Sequence, residues 1–139
     1  MTMSKTALIV EDEIFVALDL ERILTDAGYK VAGIAADSDA AMASAPGCEF
    51  AFVDVNLRDG STGPDIARRM MEDHGIKVVF VTANPAQIGT LGTCSTGLGG
   101  AALGYIRKPF TDQSIRAAAA LASDPGCGID HRDIIRLPM

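Results

Sequence analysis

No apolar run in this 139-residue chain approaches the ~20 residues of a membrane-spanning helix. The opening residues, MTMSKTALIV, carry one lysine and a short apolar stretch with no cleavage site after it, so they read as a first strand and not as a leader. Base is also in short supply: 12 Lys and Arg stand against 18 Asp and Glu, a net charge of −6. That balance argues against a nucleic-acid or anionic-membrane surface. Cysteine is scarce. Cys48, Cys94 and Cys127 are odd in number and widely spaced, with no CxxC, which excludes a disulfide frame and a zinc site and fits a reducing compartment. The chain has no GxxxxGK[ST], no GxSxG and no Cys/His pairing. GLGGAA at 97–102 has the G-x-G-x-x-A spacing, but it precedes a strand instead of opening a helix, so it is a poor nucleotide site. With 48% hydrophobic residues the chain can bury one sizeable core, and the expectation is a single cytoplasmic domain.

What the sequence does have is alternation. Ala7–Val10 reads as a buried strand. Val16, Leu20, Ile23 and Ala27 then recur at helical steps, and Gly28 supplies a stop. Lys30–Ile34 is a second strand, Ser38–Ala45 a short helix, and Phe50–Val53 a third strand. Gly63-Pro64 opens a helix with Ile66 and Met70 inside and Gly75 at its end, followed by the strand Lys77–Val81. Between Pro85 and Gly104 a fourth helix is expected to be short or irregular, because each of its glycines weakens a helix by roughly 1 kcal/mol. Ala102–Ile106 is a fifth strand, and Thr111 caps a last helix over Asp112–Ala122. Short apolar strands alternating with helices predict an α/β fold: a five-stranded parallel sheet, order 2-1-3-4-5, with helices on both faces.

That order places a switch point between strands one and three, where ligands bind outside the strands' carboxyl ends. The first strand runs into Glu11, Asp12 and Glu13, and the third runs into Asp54. About three negative charges in one cleft disfavour joint ionisation, so a positive partner is expected. Mg²⁺ is one, since it takes a couple of carboxylates and keeps several waters. Lys108, just beyond strand five in YIRKPF, is the other. Thr82 ends strand four with a hydroxyl at the same edge, and Ala83 beside it is small.

The strings IVEDE, FVDVNLRDG, FVTAN and YIRKPF, in this order and each at a strand end, resemble the receiver domains of two-component response regulators. The resemblance covers roughly Thr6 to Leu121, and VEDE…ALDLERIL and FVTANP…KPF look especially like receivers of alphaproteobacterial stress signalling. It implies that Asp54 is the phosphoacceptor and Asp12 the main Mg²⁺ ligand. Glu11 would hold the metal's water shell, and the backbone carbonyl of Asn56 would complete the site. It implies that Lys108 pairs with Asp54 and then with its phosphoryl group, that Lys108-Pro109 is cis, and that Thr82 and Tyr105 form a switch pair. Asn56 and Asn84 would tune dephosphorylation. The expected partner is a sensor histidine kinase or a histidine phosphotransfer protein, with a downstream protein target and no nucleic acid or membrane.

Each residue also has a plainer reading. Asp54 alone is as often a turn acid, Asp12 suits a helix N-cap, Lys108 alone is usually solvated, and Thr82 alone is a strand-end turn former. Tyr105 alone is a half-buried strand residue, and His74 and His131 fit the surface better than a ligand set. The four strings together outweigh these. The haloacid-dehalogenase-like phosphatases also use a strand-end Asp, but with D-x-D, and here the second position is Asn56. The expected organisation is a receiver over 1–122 and a C-terminal tail over 123–139 with no output domain. The tail's Ile129, Ile134, Ile135 and Leu137 make it too apolar for a disordered end, so it is expected to fold back or meet a partner. The expected function is a stand-alone response regulator that catalyses only its own phosphorylation and dephosphorylation and acts as a diffusible signal, shuttle or phosphate sink. The alternatives are a phosphorylation-independent interaction module and, more distantly, a metal-dependent phosphatase.

Overall fold

The computed structural model describes residues 5–54, 57, 63–83, 102–123 and 134–136. The elements are β1 (Thr6–Val10), α1 (Ile14–Asp26), β2 (Lys30–Ala35), α2 (Ser38–Ser44), β3 (Phe50–Val53), α3 (Gly63–His74), β4 (Lys77–Thr82), β5 (Ala102–Arg107), α4 (Asp112–Ser123) and β6 (Ile134–Arg136). The sheet order is β2-β1-β3-β4-β5-β6. Its first five strands are parallel in the expected order, and the helices lie on both faces. The sixth strand was not expected. It pairs antiparallel with β5 and comes from the C-terminal segment read as a tail. The irregular helix expected between Pro85 and Gly104 falls largely on 84–101, outside the described residues.

The strand period of two divides the core. Leu8, Val10, Ala51, Val53, Val78 and Phe80 point to one side, where Ala41 of α2 and Ile66, Ala67 and Met70 of α3 close over them. Ala7, Ile9, Phe50, Phe52, Val79, Val81 and Ile106 point to the other, beneath α1 and α4. The apolar strands thus read as continuous runs because both faces are covered.

Helix ends follow local chemistry. Asp37 caps α2, its Oδ1 accepting from the Ala40 N–H at 2.9 Å. Thr111 caps α4 reciprocally with Ser114: each backbone N–H donates to the other's hydroxyl at 3.0 Å. Gly28 follows the Ala27 C-cap with φ +96°, a left-handed conformation that glycine adopts without strain. The buried stripe of α1 is Ala17, Leu20, Ile23 and Leu24, while Val16 and Ala27 of the expected stripe are half-buried. The inner face is therefore rotated by about one residue from the one read in sequence. The N-cap of α1 is Glu13, with no side-chain capping bond, so Asp12 does not serve as its cap.

Candidate functional site

The site is a consequence of register. In the parallel β1–β3 pair, Val10 lies opposite Val53, so the next residues, Glu11 and Asp54, leave the sheet side by side. Two backbone bonds hold the tips: Asp54 N–H donates to Val10 O at 2.8 Å, and Glu11 N–H donates to Ala35 O at 2.8 Å. On the far side, Lys108 N–H donates to Thr82 O at 2.9 Å, which continues the β4–β5 pairing to the edge and fixes where the lysine starts. The Lys108-Pro109 peptide is cis.

Glu11, Asp12 and Asp54 each offer a carboxylate oxygen within 4.8 Å of the others. Asp54 is only 6% exposed and Glu11 2%. Lys108 Nζ donates to Asp54 Oδ2 at 3.1 Å, lies 2.7 Å from Glu11 Oε1 and 3.8 Å from Glu13 Oε1. Glu11 Oε2 accepts from the Glu13 N–H at 3.3 Å. Nζ meets Glu11 Oε1 at ion-pair distance but not in hydrogen-bond geometry, so this buried oxygen keeps a lone pair with no donor. Burial first, and then the neighbouring Asp54 carboxyl, push the Glu11 pKa up to about 8 against the opposing pull of Lys108. Burial pulls the Lys108 ammonium down, but the close ion pair with Glu11 and the hydrogen bond and charge of Asp54 outweigh it and hold its pKa above the usual lysine range.

This donor set fits a hard divalent cation. All the candidate ligands are oxygen, three carboxylates converge, and Glu11 Oε1 is in close ion contact with Lys108 but in no hydrogen bond, so it can accept from a metal-bound water. Asn56, whose carbonyl was expected to join them, lies outside the described residues, as does Asn84.

Among the sequence-predicted residues, the structure brings Glu11, Asp12, Asp54 and Lys108 together. Thr82 is fully buried at the end of β4, paired with Arg107. Tyr105 lies farther back along β5, half-buried and packed against the Leu8–Phe80 side of the core. The apolar rim was missed. Phe15 is 85% exposed, and Ile14 and Leu18 are exposed with it on α1. An open groove of about 490 Å³ runs beside Lys108, lined by Phe15, Val16, Ala83, Pro109 and Phe110. The available signal was that Ile14, Phe15 and Leu18 are apolar yet fall off the inner stripe of α1. Glu13, the third acid on Lys108, was visible only as one more charge in the EDE run.

Comparison with known proteins bears on the family and the fold. The family model described as "Response regulator receiver domain" matches residues 7–120. The phyllosphere-induced regulator PhyR of Methylorubrum extorquens is 31% identical over 125 residues, 86% of this chain. The chain spans 44% of that relative's length. The solution structure of the PhyR receiver domain of Erythrobacter litoralis superposes with a TM-score of 0.75 at 26% identity, covering 86% of this chain and 90% of that one. A CheY-like receiver domain protein from Methanospirillum hungatei gives a TM-score of 0.74 at 24% identity, over 88% of this chain and 96% of that one, and so bears on the fold alone.

Proposed function

Since the chain belongs to the response regulator receiver domain family, we propose that Asp54 accepts a phosphoryl group from a phosphohistidine on a sensor kinase or phosphotransfer protein. A carboxylate oxygen of Asp54 attacks phosphorus, the P–N bond to the donor imidazole breaks, and the imidazole leaves with that electron pair. The product is a mixed anhydride on Asp54, which water later hydrolyses to regenerate the carboxylate. The chain in this reading acts on itself and turns over no small substrate.

The observation that carries the reading is the setting of Asp54: nearly buried at the tip of β3, hydrogen-bonded by Lys108 at 3.1 Å and flanked by two further carboxylates. Phosphoryl transfer asks mainly for positioning and for neutralisation of oxygen charge. Lys108 supplies a cation that already touches the acceptor. Thr82, at the end of the neighbouring strand, is positioned to offer a hydroxyl to a phosphoryl oxygen, and Ala83 beyond it leaves room. Glu11, Asp12 and Asp54 would hold Mg²⁺, which when bound neutralises the cluster and polarises a phosphoryl oxygen. Tyr105 would respond to Thr82 as the second half of a switch. The exposed Phe15 and the groove toward Phe110 lie beside Lys108, where a docked donor histidine must approach. Onward use would be as a diffusible signal, a shuttle to a second histidine, or a sink.

The test is a phosphotransfer profile with ³²P-labelled kinases and phosphotransfer proteins. One hydroxylamine-labile phosphoryl group per chain is expected, lost in Asp54→Ala and dependent on added Mg²⁺. Steady hydrolysis of an aryl phosphate, or label retained in Asp54→Ala, would overturn it.

A further inference from the structure

The outer edge of β5 is closed by three residues from the chain's own C-terminal segment. Arg136 pairs with Gly104, Ile135 with Tyr105 and Ile134 with Ile106. Without them, β5 would present unpaired N–H and C=O groups, a template for another strand. Three residues make a short ladder. A strand this short makes few ladder bonds, and covalent linkage favours such a contact by raising its effective concentration, to the millimolar range for short flexible linkers. The edge therefore accepts an Ile-Ile-Arg segment antiparallel, through a ladder three residues long.

The tether has a demanding path. Helix α4 starts at the carboxyl edge of the sheet and runs back for 12 residues, roughly 18 Å. Ile134 must then begin opposite Ile106, near the carboxyl edge again. Ten intervening positions allow a connection of at most roughly 35 Å. A tether of four residues would reach about 17 Å at most, too little for the height of α4 alone.

We propose that the β5 edge at Gly104–Ile106 is a strand-accepting site, closed in cis by residues 134–136 and open to the same residues of a second copy of this chain. A second copy is the occupant the structure favours, because its segment is identical to the one already seated and needs no new register. The binding mode is strand addition, with main-chain hydrogen bonds giving affinity. It is independent of the phosphoryl chemistry proposed for Asp54.

Two full-chain variants test it. Removing residues 126–131 shortens the tether below the cis limit, so a dimer is expected by light scattering, with the 104–106 amides as protected from exchange as in the wild type. A folded monomer, whatever its protection, overturns exchange between copies. The second variant is Ile134→Pro/Ile135→Pro. Alternate residues of an edge strand turn their N–H toward the partner, so the double change removes a ladder donor whichever residue supplies it. Exchange at whichever of the 104–106 amides face β6 is expected to quicken at least tenfold, and a synthetic peptide of residues 129–139 is expected to restore protection. If exchange does not quicken, or the peptide leaves it fast, the strand-accepting site is wrong, and this holds even if the shortened chain does not fold.

Discussion

At the scale of single residues, Glu11 is the most consequential side chain after Asp54. It is buried, carries an oxygen without a donor, and has its pKa raised to about 8 from the 4.5 of an ordinary glutamate. Between those values the folded chain binds a proton that the unfolded chain has released. Stability of the metal-free protein therefore falls as pH rises from about 4.5 to about 8 and is flat above. Lys108, raised above the lysine range, loses its contribution only at higher pH and does not affect this window. In EDTA, Glu11→Gln should lack the decline. Urea unfolding at pH 5 and pH 8.5 should show the variant gaining on the order of a few kcal/mol relative to wild type at the higher pH. An equal pH slope in both proteins would mean that Glu11 is ionised throughout.

At the scale of elements, α1 and α4 each have one end that matters. The reciprocal Thr111–Ser114 cap satisfies donors that would otherwise be orphaned at the start of α4, the helix that directly follows Lys108 and its loop. Thr111→Ala should cost about 1 kcal/mol in urea unfolding with an unchanged m-value. On α1, Phe15 contributes nothing to the core at 85% exposure, yet it borders the groove beside Lys108. Phe15→Asp should leave thermal stability within about 0.5 kcal/mol of wild type, as surface changes do. It should also slow phosphotransfer from a protein donor at least tenfold while leaving beryllofluoride binding intact. Equal transfer rates would place the donor's approach elsewhere. The Arg22 pair with Asp112 at 3.3 Å joins the same two helices, but both side chains are about half exposed, so it adds little.

At the scale of the whole molecule, the sheet separates two core layers, and Phe52 is buried in one of them. Its ring meets Phe50 edge-on at 6.0 Å between centroids. Phe52→Ala should destabilise by about 3–5 kcal/mol, the cost of a large buried ring and the cavity it leaves. The site is the complement of that rigidity. Mg²⁺ that binds only the assembled tips should raise the melting temperature with concentration, and Asp12→Ala should abolish the rise. A metal-dependent shift that survives in Asp12→Ala would place the ion elsewhere. No helix among the described residues is long and apolar enough to cross a membrane.

The strand-helix alternation, the five parallel strands and the acids at two strand tips were legible in the sequence, because period, caps and breakers are local properties of the chain. The carboxylates of Glu11 and Asp54 could be placed together from topology, since parallel register carries one strand's end to its neighbour's. Three things required the folded molecule. The rotation of α1 left Phe15 and Leu18 outside, and a stripe read at helical spacing is ambiguous by one residue in a helix this apolar. The reach of Lys108 to Glu11 and Asp54 at once depends on how β5 ends against β4, a contact between distant segments. The pairing of Ile134–Arg136 with β5 joins residues about thirty positions apart, and a three-residue segment of two isoleucines and an arginine carries no signal of which edge it will meet. The sequence determined which segments become the five parallel strands and which groups stand at their ends. Tertiary structure decided what those ends touch, because contact between distant segments is set by packing and register, not by local preference.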